Sequence, residues 1–173
     1  MATSNLIQKL SATALVSNTS GSPGSYTSVA TPDVSNRRQV ETFIAGATVV
    51  PGDWLMFDTS KTDSAKVLTV IQATATSATG NALVVGVCLG SAETSGALTA
   101  GSRINVITSG FAAVANVDST NVTAVGVPLV VDNATSVAGR AQIQKNTALA
   151  PACGVTLSVP GTNTAQVWIF KQF

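Results

Sequence analysis

The chain has 173 residues, of which 45% are hydrophobic and only 10% charged, with a net charge of +1 and no histidine. That length suits one sizeable domain with a core of its own. The composition excludes the basic stripe of a nucleic-acid binder, and the missing histidine excludes Ser–His and Cys–His dyads and His-ligated metals.

A typical soluble domain carries about 25% charged residues, so this surface is unusually neutral. Either partners cover much of it, or the exterior is the Ser/Thr-rich surface of a secreted or virion protein. The longest apolar stretch, Ala82 to Leu89, falls far short of the roughly 20 residues that span a bilayer, so no membrane segment is expected. The start, "MATSNLIQKL", lacks a basic residue run followed by an apolar core, and no secretory signal is expected.

Residues 1–36 differ from the rest. "SNTSGSPGSYTSVATPDVSN" (17–36) has little to bury and reads as an extended N-terminal arm. Within "SNLIQKLSATALV" (4–16), Leu6, Leu10 and Ala14 are spaced for a short helix capped by Ser4, while Thr13 and Val16 suit a strand docking on another chain. Both readings stand. Leu6, Ile7 and Leu10 are the arm's apolar contact candidates. Arg37 and Arg38, the only adjacent basic pair, either anchor the arm to an acidic partner surface or form a solvated hinge.

From Val40 the pattern is all β, and residues 37–173 are expected to form one β domain. Strands are predicted at 40–44, 54–58, 66–72, 82–89, 103–108, 111–117, 128–132, 140–144, 154–159 and 165–170, the fifth and sixth as a hairpin. Ala141 and Ile143, and likewise Val155, Leu157 and Val159, alternate with polar residues, which places them on a core-facing side. "ALVVGVCL" and "AQVWIF" are apolar on both faces and read as central or interface strands. Many short strands broken by Gly, Asn, Asp and Pro predict a small barrel or sandwich.

The chain also echoes itself. Gly52, Leu55, Asp58 and Lys66 recur 74 residues later as Gly126, Leu129, Asp132 and Arg140. "GVCL" (86–89) answers "GVTL" (154–157), and "SRINVI" (102–107) answers "TAQVWI" (164–169). Two duplicated β units, about 45–110 and 120–173, are expected to share one core, since neither buries enough surface alone. In each, the glycine allows a turn, the leucine enters the core, and the aspartate hydrogen-bonds the next turn.

Chemistry-bearing motifs are scarce. Neither a G-x-S-x-G elbow nor a G-x-x-x-x-G-K phosphate loop occurs, and Gly86 and Gly90 read as points of close backbone approach. Asp58 and Asp132 form a symmetry-matched carboxylate pair, and turn capping suits them better than acid/base work. Asp53 beside Trp54 reads the same way, and Asp63, Glu93 and Asp118 read as solvated turn charges. Cys88 and Cys153 lack metal or redox spacing, leaving free buried thiols or a single disulfide. The sequons at Asn18, Asn121 and Asn133 are what Ser/Thr-rich composition produces. No enzyme activity, cofactor or metal is expected.

"RRQVETFIAGATVVPGDWLMFD", the "VVGVCLG" strand, "TAGSRINVITSGF", the second "PLVVD…AGRA" unit and the ending "PACGVTLSVPGTNTAQVWIFKQF" together resemble the capsid decoration, or cement, proteins of tailed bacteriophages. The resemblance spans Arg37 to the end. It implies a structural virion protein, made in the host cytoplasm, that binds the outer surface of the expanded capsid and stabilises the head. It further implies the major capsid protein as partner, self-association as a homotrimer, and an arm that adds to the capsid's own sheet. The alternative from another class is a virion-surface or tail-associated β domain that binds host glycans through Trp54, Trp168 or Tyr26.

Overall fold

Runs of valine, isoleucine and threonine between Gly- and Pro-marked turns favour the pleated backbone. The computed structural model of the chain describes residues 38–74, 83–90, 96–131, 137–143 and 152–171, and those runs are its strands. Among the described residues they are β1 (Arg38–Ala45), β2 (Trp54–Phe57), β3 (Thr69–Gln72), β4 (Val84–Gly90), β5 (Arg103–Asn116), β6 (Pro128–Val131), β7 (Ala141–Ile143), β8 (Gly154–Thr156) and β9 (Thr164–Ile169). A one-turn helix, α1 (Ala65–Leu68), precedes β3, so Lys66 lies on a helix and not at the start of the predicted strand 66–72. The predicted arm, with Leu6, Ile7, Leu10 and Arg37, lies outside the described residues, as do Glu93 and Asp132; Arg38 opens β1.

The strands run β1-β3-β2-β4-β5-β9-β8-β6-β7, and β1 pairs also with β5. The first five strands thus close into a ring. An isolated parallel bridge from Val117, just past β5, to Ala141 of β7 closes the remaining strands on the far half of β5. Two small rings therefore share one strand, which is the all-β fold of two β units that the repeated phrases imply. Closing both rings leaves few open strand edges, which otherwise invite aggregation.

The shared strand corrects one expectation. Residues 103–108 and 111–117 are not a hairpin but one continuous strand of 14 residues. Gly110, at φ +92°, supplies a kink instead of a turn. A register shift between Ala112 and Ala115 then bends the strand from the first ring into the second.

The repeat is written in hydrogen bonds. Ala45 N–H donates to Ser102 O as Val117 N–H does to Asn163 O; Gly46 N–H donates to Val70 O as Asp118 N–H does to Ala141 O. Gly52 N–H donates to Cys88 O as Gly126 N–H does to Thr156 O, and Cys88 N–H donates to Asp53 O as Thr156 N–H does to Val127 O. Gly52 (φ +93°) and Gly126 (φ +78°) share the left-handed turn conformation. Hence β1 to the first half of β5 matches the second half of β5 to β9.

Two details of the repeat differ from the sequence alignment. Phe57 faces Val70 as Val131 faces Ala141, so Arg140 matches Thr69 and not Lys66. Val87 faces Ile107 as Val155 faces Trp168, so Ile107 matches Trp168, one residue away from the alignment of "SRINVI" with "TAQVWI". A one-residue slip exchanges the two faces of a strand. In the corrected register Ile104, Val106 and Thr108 match Ala165, Val167 and Ile169, and all six are buried.

The matched glycines Gly86 and Gly154 mark close approach of neighbouring backbones. A Cβ at Gly86 would stand 2.0 Å from the Ile107 carbonyl oxygen, and one at Gly154 would stand 2.7 Å from that of Trp168. Because the obstacle at Gly86 is backbone, no side chain can yield to relieve it. Gly86→Ala is expected to cost about 3 kcal/mol or more, the top of the usual overpacking range. A loss under about 1 kcal/mol in urea unfolding would contradict the β4–β5 register.

Among the described residues, buried apolar side chains gather in two clusters. One, inside the first ring, gathers Phe43, Leu55, Val70, Val85, Ile104 and Val106, with Phe43 edge-on to Phe57 at 6.3 Å. The other combines the interior of the second ring (Leu129, Val131, Ala141, Val167, Ile169) with the outer wall of the first (Trp54, Val87, Ile107). Cys88 and Cys153 are free and buried. Burial pushes their thiols up to about 11 and about 12, respectively. Neither is therefore expected to react with iodoacetamide at pH 8 in the native protein, and both should react in denaturant. Rapid native labelling would contradict the burial.

Candidate interaction surface

Asp53, Asp58 and Asp118 serve in structural hydrogen bonds. Asp58 closes β2 and accepts hydrogen bonds from Ser60 Oγ at 2.6 Å and Ser60 N–H at 3.1 Å, with Lys61 Nζ 3.8 Å away. The Ser60 hydroxyl, with the Ser60 N–H and Lys61 assisting, holds this carboxyl below its ordinary value despite burial. A group held ionised in this way is a poor general acid, and the turn-capping reading of Asp58 holds. Burial acts to raise Asp118, but the Thr120 N–H and the Asn121 amide outweigh it and keep this carboxyl low as well. Among the described residues no group of three His, Cys, Asp or Glu side chains is placed to hold a metal ion.

Asp53 plays a larger part than its sequence context signals. It is buried, and besides capping its own turn through Val50 N–H (2.9 Å) it accepts from Gln72 Nε2 (2.7 Å) and Asn116 Nδ2 (2.9 Å). The next residue, Trp54, is fully buried: its Nε1 donates to Asn116 O at 3.0 Å and its backbone N–H to Gly139 O at 2.9 Å. A Cβ at Gly139 would come within 2.8 Å of Asp53 Oδ1, so only glycine lets the second ring approach this closely. Asp53 and Trp54 are thus the joint between the rings. The "GDW" triplet was the available signal, and its pairing with Asn116 across 63 positions was not readable from sequence. Burial also removes Trp54 from the aromatics offered as a glycan platform.

The surface features are apolar. Val155, Leu157 and Val159 do not face the core as their alternation suggests: Gly154 and Thr156 point inward, and Val159 is 63% exposed. The buried Thr156 is accommodated because its hydroxyl accepts from Val127 N–H and donates to Ala124 O, both at 2.9 Å. On the outside, Val155 stands opposite Trp168, and Trp168 opposite Phe111, a row across three strands. Trp168 is 37% exposed, and Phe170, two residues along from it, is also exposed. Of the two readings of "AQVWIF", the central one is observed, with β9 between β5 and β8, and the Trp168–Phe170 side of this strand is exposed.

A second apolar opening lies at one end of the first ring. A cavity of about 130 Å³ is lined by Glu41, Phe43, Phe57, Val67, Val85 and Thr108, with Lys171 at its side. Val67 and Leu68 of α1 are 57% and 51% exposed, and Ile44 of β1 is also exposed.

No family model and no curated protein matches the chain. Among solved structures, a chain of "The capsid of Myoviridae Phage XM1" is similar with a TM-score of 0.57 and 18% sequence identity, over 79% of this chain and 85% of that one. At that identity the likeness is one of fold.

Proposed function

We propose that the chain is a structural protein of a bacteriophage head that binds the outer surface of the expanded capsid and stabilises it without catalysing a reaction. The observation that carries this reading is the two-ring β fold shared with a chain of a phage capsid. The neutral surface, the apolar Val155–Trp168–Phe111 row and the structural use of Asp53, Asp58 and Asp118 support it. In this reading the major capsid protein is the partner and copies of the chain associate as a homotrimer. The segment before β1, through Leu6, Ile7, Leu10 and Arg37, together with Arg38 at the start of β1, docks on the shell by adding to its sheet.

Co-sedimentation of the full chain with expanded and unexpanded phage shells tests the reading. Binding to expanded shells is expected, together with a raised temperature of shell disruption. Replacing Leu6, Ile7 and Leu10 by serine should abolish binding while leaving the unfolding midpoint unchanged. A chain that sediments with neither shell would sink the proposal.

A further inference from the structure

The ring–ring contact inside the chain has two halves. The outer wall of the first ring, with Trp54, Val87 and Ile107, closes one end of the second ring beside Asn116, Gly139 and Gly154. Each half has a counterpart elsewhere in the molecule, because the rings are repeats. In the established registers Trp54, Val87 and Ile107 match Pro128, Val155 and Trp168 on the outer wall of the second ring. Asn116 and Gly139 match Ile44 and Leu68 at the end of the first ring.

Among the described residues of one chain, neither counterpart meets its complement. Pro128, Trp168, Ile44 and Leu68 are all exposed, and the 130 Å³ cavity is lined in part by Phe43 and Val67, the residues that precede the last two in the chain. The bulk of the wall has changed place, from tryptophan on β2 with isoleucine on β5 to proline on β6 with tryptophan on β9. The exposed row is also continuous with the internal contact. Ile107, buried in that contact, and Phe111, opposite Trp168, lie four residues apart on one face of β5.

We propose that the chain associates head to tail with a second copy of itself. The Pro128–Val155–Trp168 wall of one copy closes the Ile44–Leu68 end of the first ring in the next, repeating between chains the contact that the rings make within one. Trp168 is the anchor, since a large aromatic entering an apolar recess dominates such contacts. The interface is heterologous, two different surfaces meeting, so it propagates from copy to copy until a rotation closes it. It names a contact for the self-association in the reading above but rests on the repeat and not on shell binding, and the test uses the isolated chain.

Sedimentation of the full chain should show species above monomer that grow with concentration. Trp168→Ser and Leu68→Glu should each weaken association about tenfold or more, without a change in circular dichroism. A one-to-one mixture of the two variants should regain a dimer and go no further, because one variant keeps its recess and the other its wall. Separately, Trp168→Cys and Leu68→Cys copies mixed with oxidised glutathione should cross-link to each other faster than either does to itself. A wild-type chain that stays monomeric, a mixture that regains nothing, or preferential Trp168→Cys self-linking would each overturn the proposal; the second would point to the arm as occupant and the third to a face-to-face dimer.

Discussion

Replacing Trp54 by alanine should remove about 3–5 kcal/mol of folding stability, the range for deleting a fully buried large aromatic. The indole seats in the end of the second ring, against Gly154. Its loss opens a void against Gly154 and removes the donor to Asn116 O. Because β5 belongs to both rings, they are expected to unfold together, and the change should appear as a lower urea midpoint of a single transition. Trp54→Phe keeps most of the packing and forfeits the hydrogen bond, so a loss of about 1–2 kcal/mol is expected. An alanine variant within about 1 kcal/mol of wild type would show that the rings do not depend on this contact.

The second large effect is expected at the neighbouring carboxylate. Asp53→Ala strands Val50 N–H, Gln72 Nε2 and Asn116 Nδ2 around a site closed to solvent. Each stranded donor costs about 1–3 kcal/mol, so a total of about 3 kcal/mol or more is expected even if one of them finds water. Asp53→Asn should also destabilise, because its amide nitrogen turns a donor toward donors. In a double-mutant cycle, Asp53→Ala with Asn116→Ala should cost less than the two single changes summed, since removing both partners leaves nothing unpaired between them. Additive losses would mean the two side chains act separately.

What the sequence disclosed was local and periodic. The turns at Gly52 and Gly126, the strand-end aspartate Asp58 and the matched "GV" glycines lie in short segments whose chemistry repeats with the backbone. The residues that failed to read were those whose surroundings come from far away. Val155, Leu157 and Val159 alternate as a core face should, yet the core side is taken by Gly154, which must admit Trp54, and by Thr156, whose hydroxyl is satisfied by Val127 and Ala124. Lys66 looked like a strand start because the offset from Arg140 matched, while a turn of helix occupies the longer connection in the first unit. Ser109-Gly110 carried a turn signal, but both rings require the strand to continue through it. The joint at Asp53 and Asn116 unites residues too distant for any pattern to link.

Function was less legible than fold for the same reason. Shell binding and self-association depend on surfaces, and an exposed Trp168 differs from a buried one only through the ring that does or does not cover it. The central claim is that this two-ring body decorates a phage head. An electron cryo-microscopy reconstruction of the parent virion tests it most directly. The account predicts a repeated density outside the shell that accepts the two-ring body of residues 39–173. Finding that body on the tail, inside the head, or nowhere on the particle would contradict it.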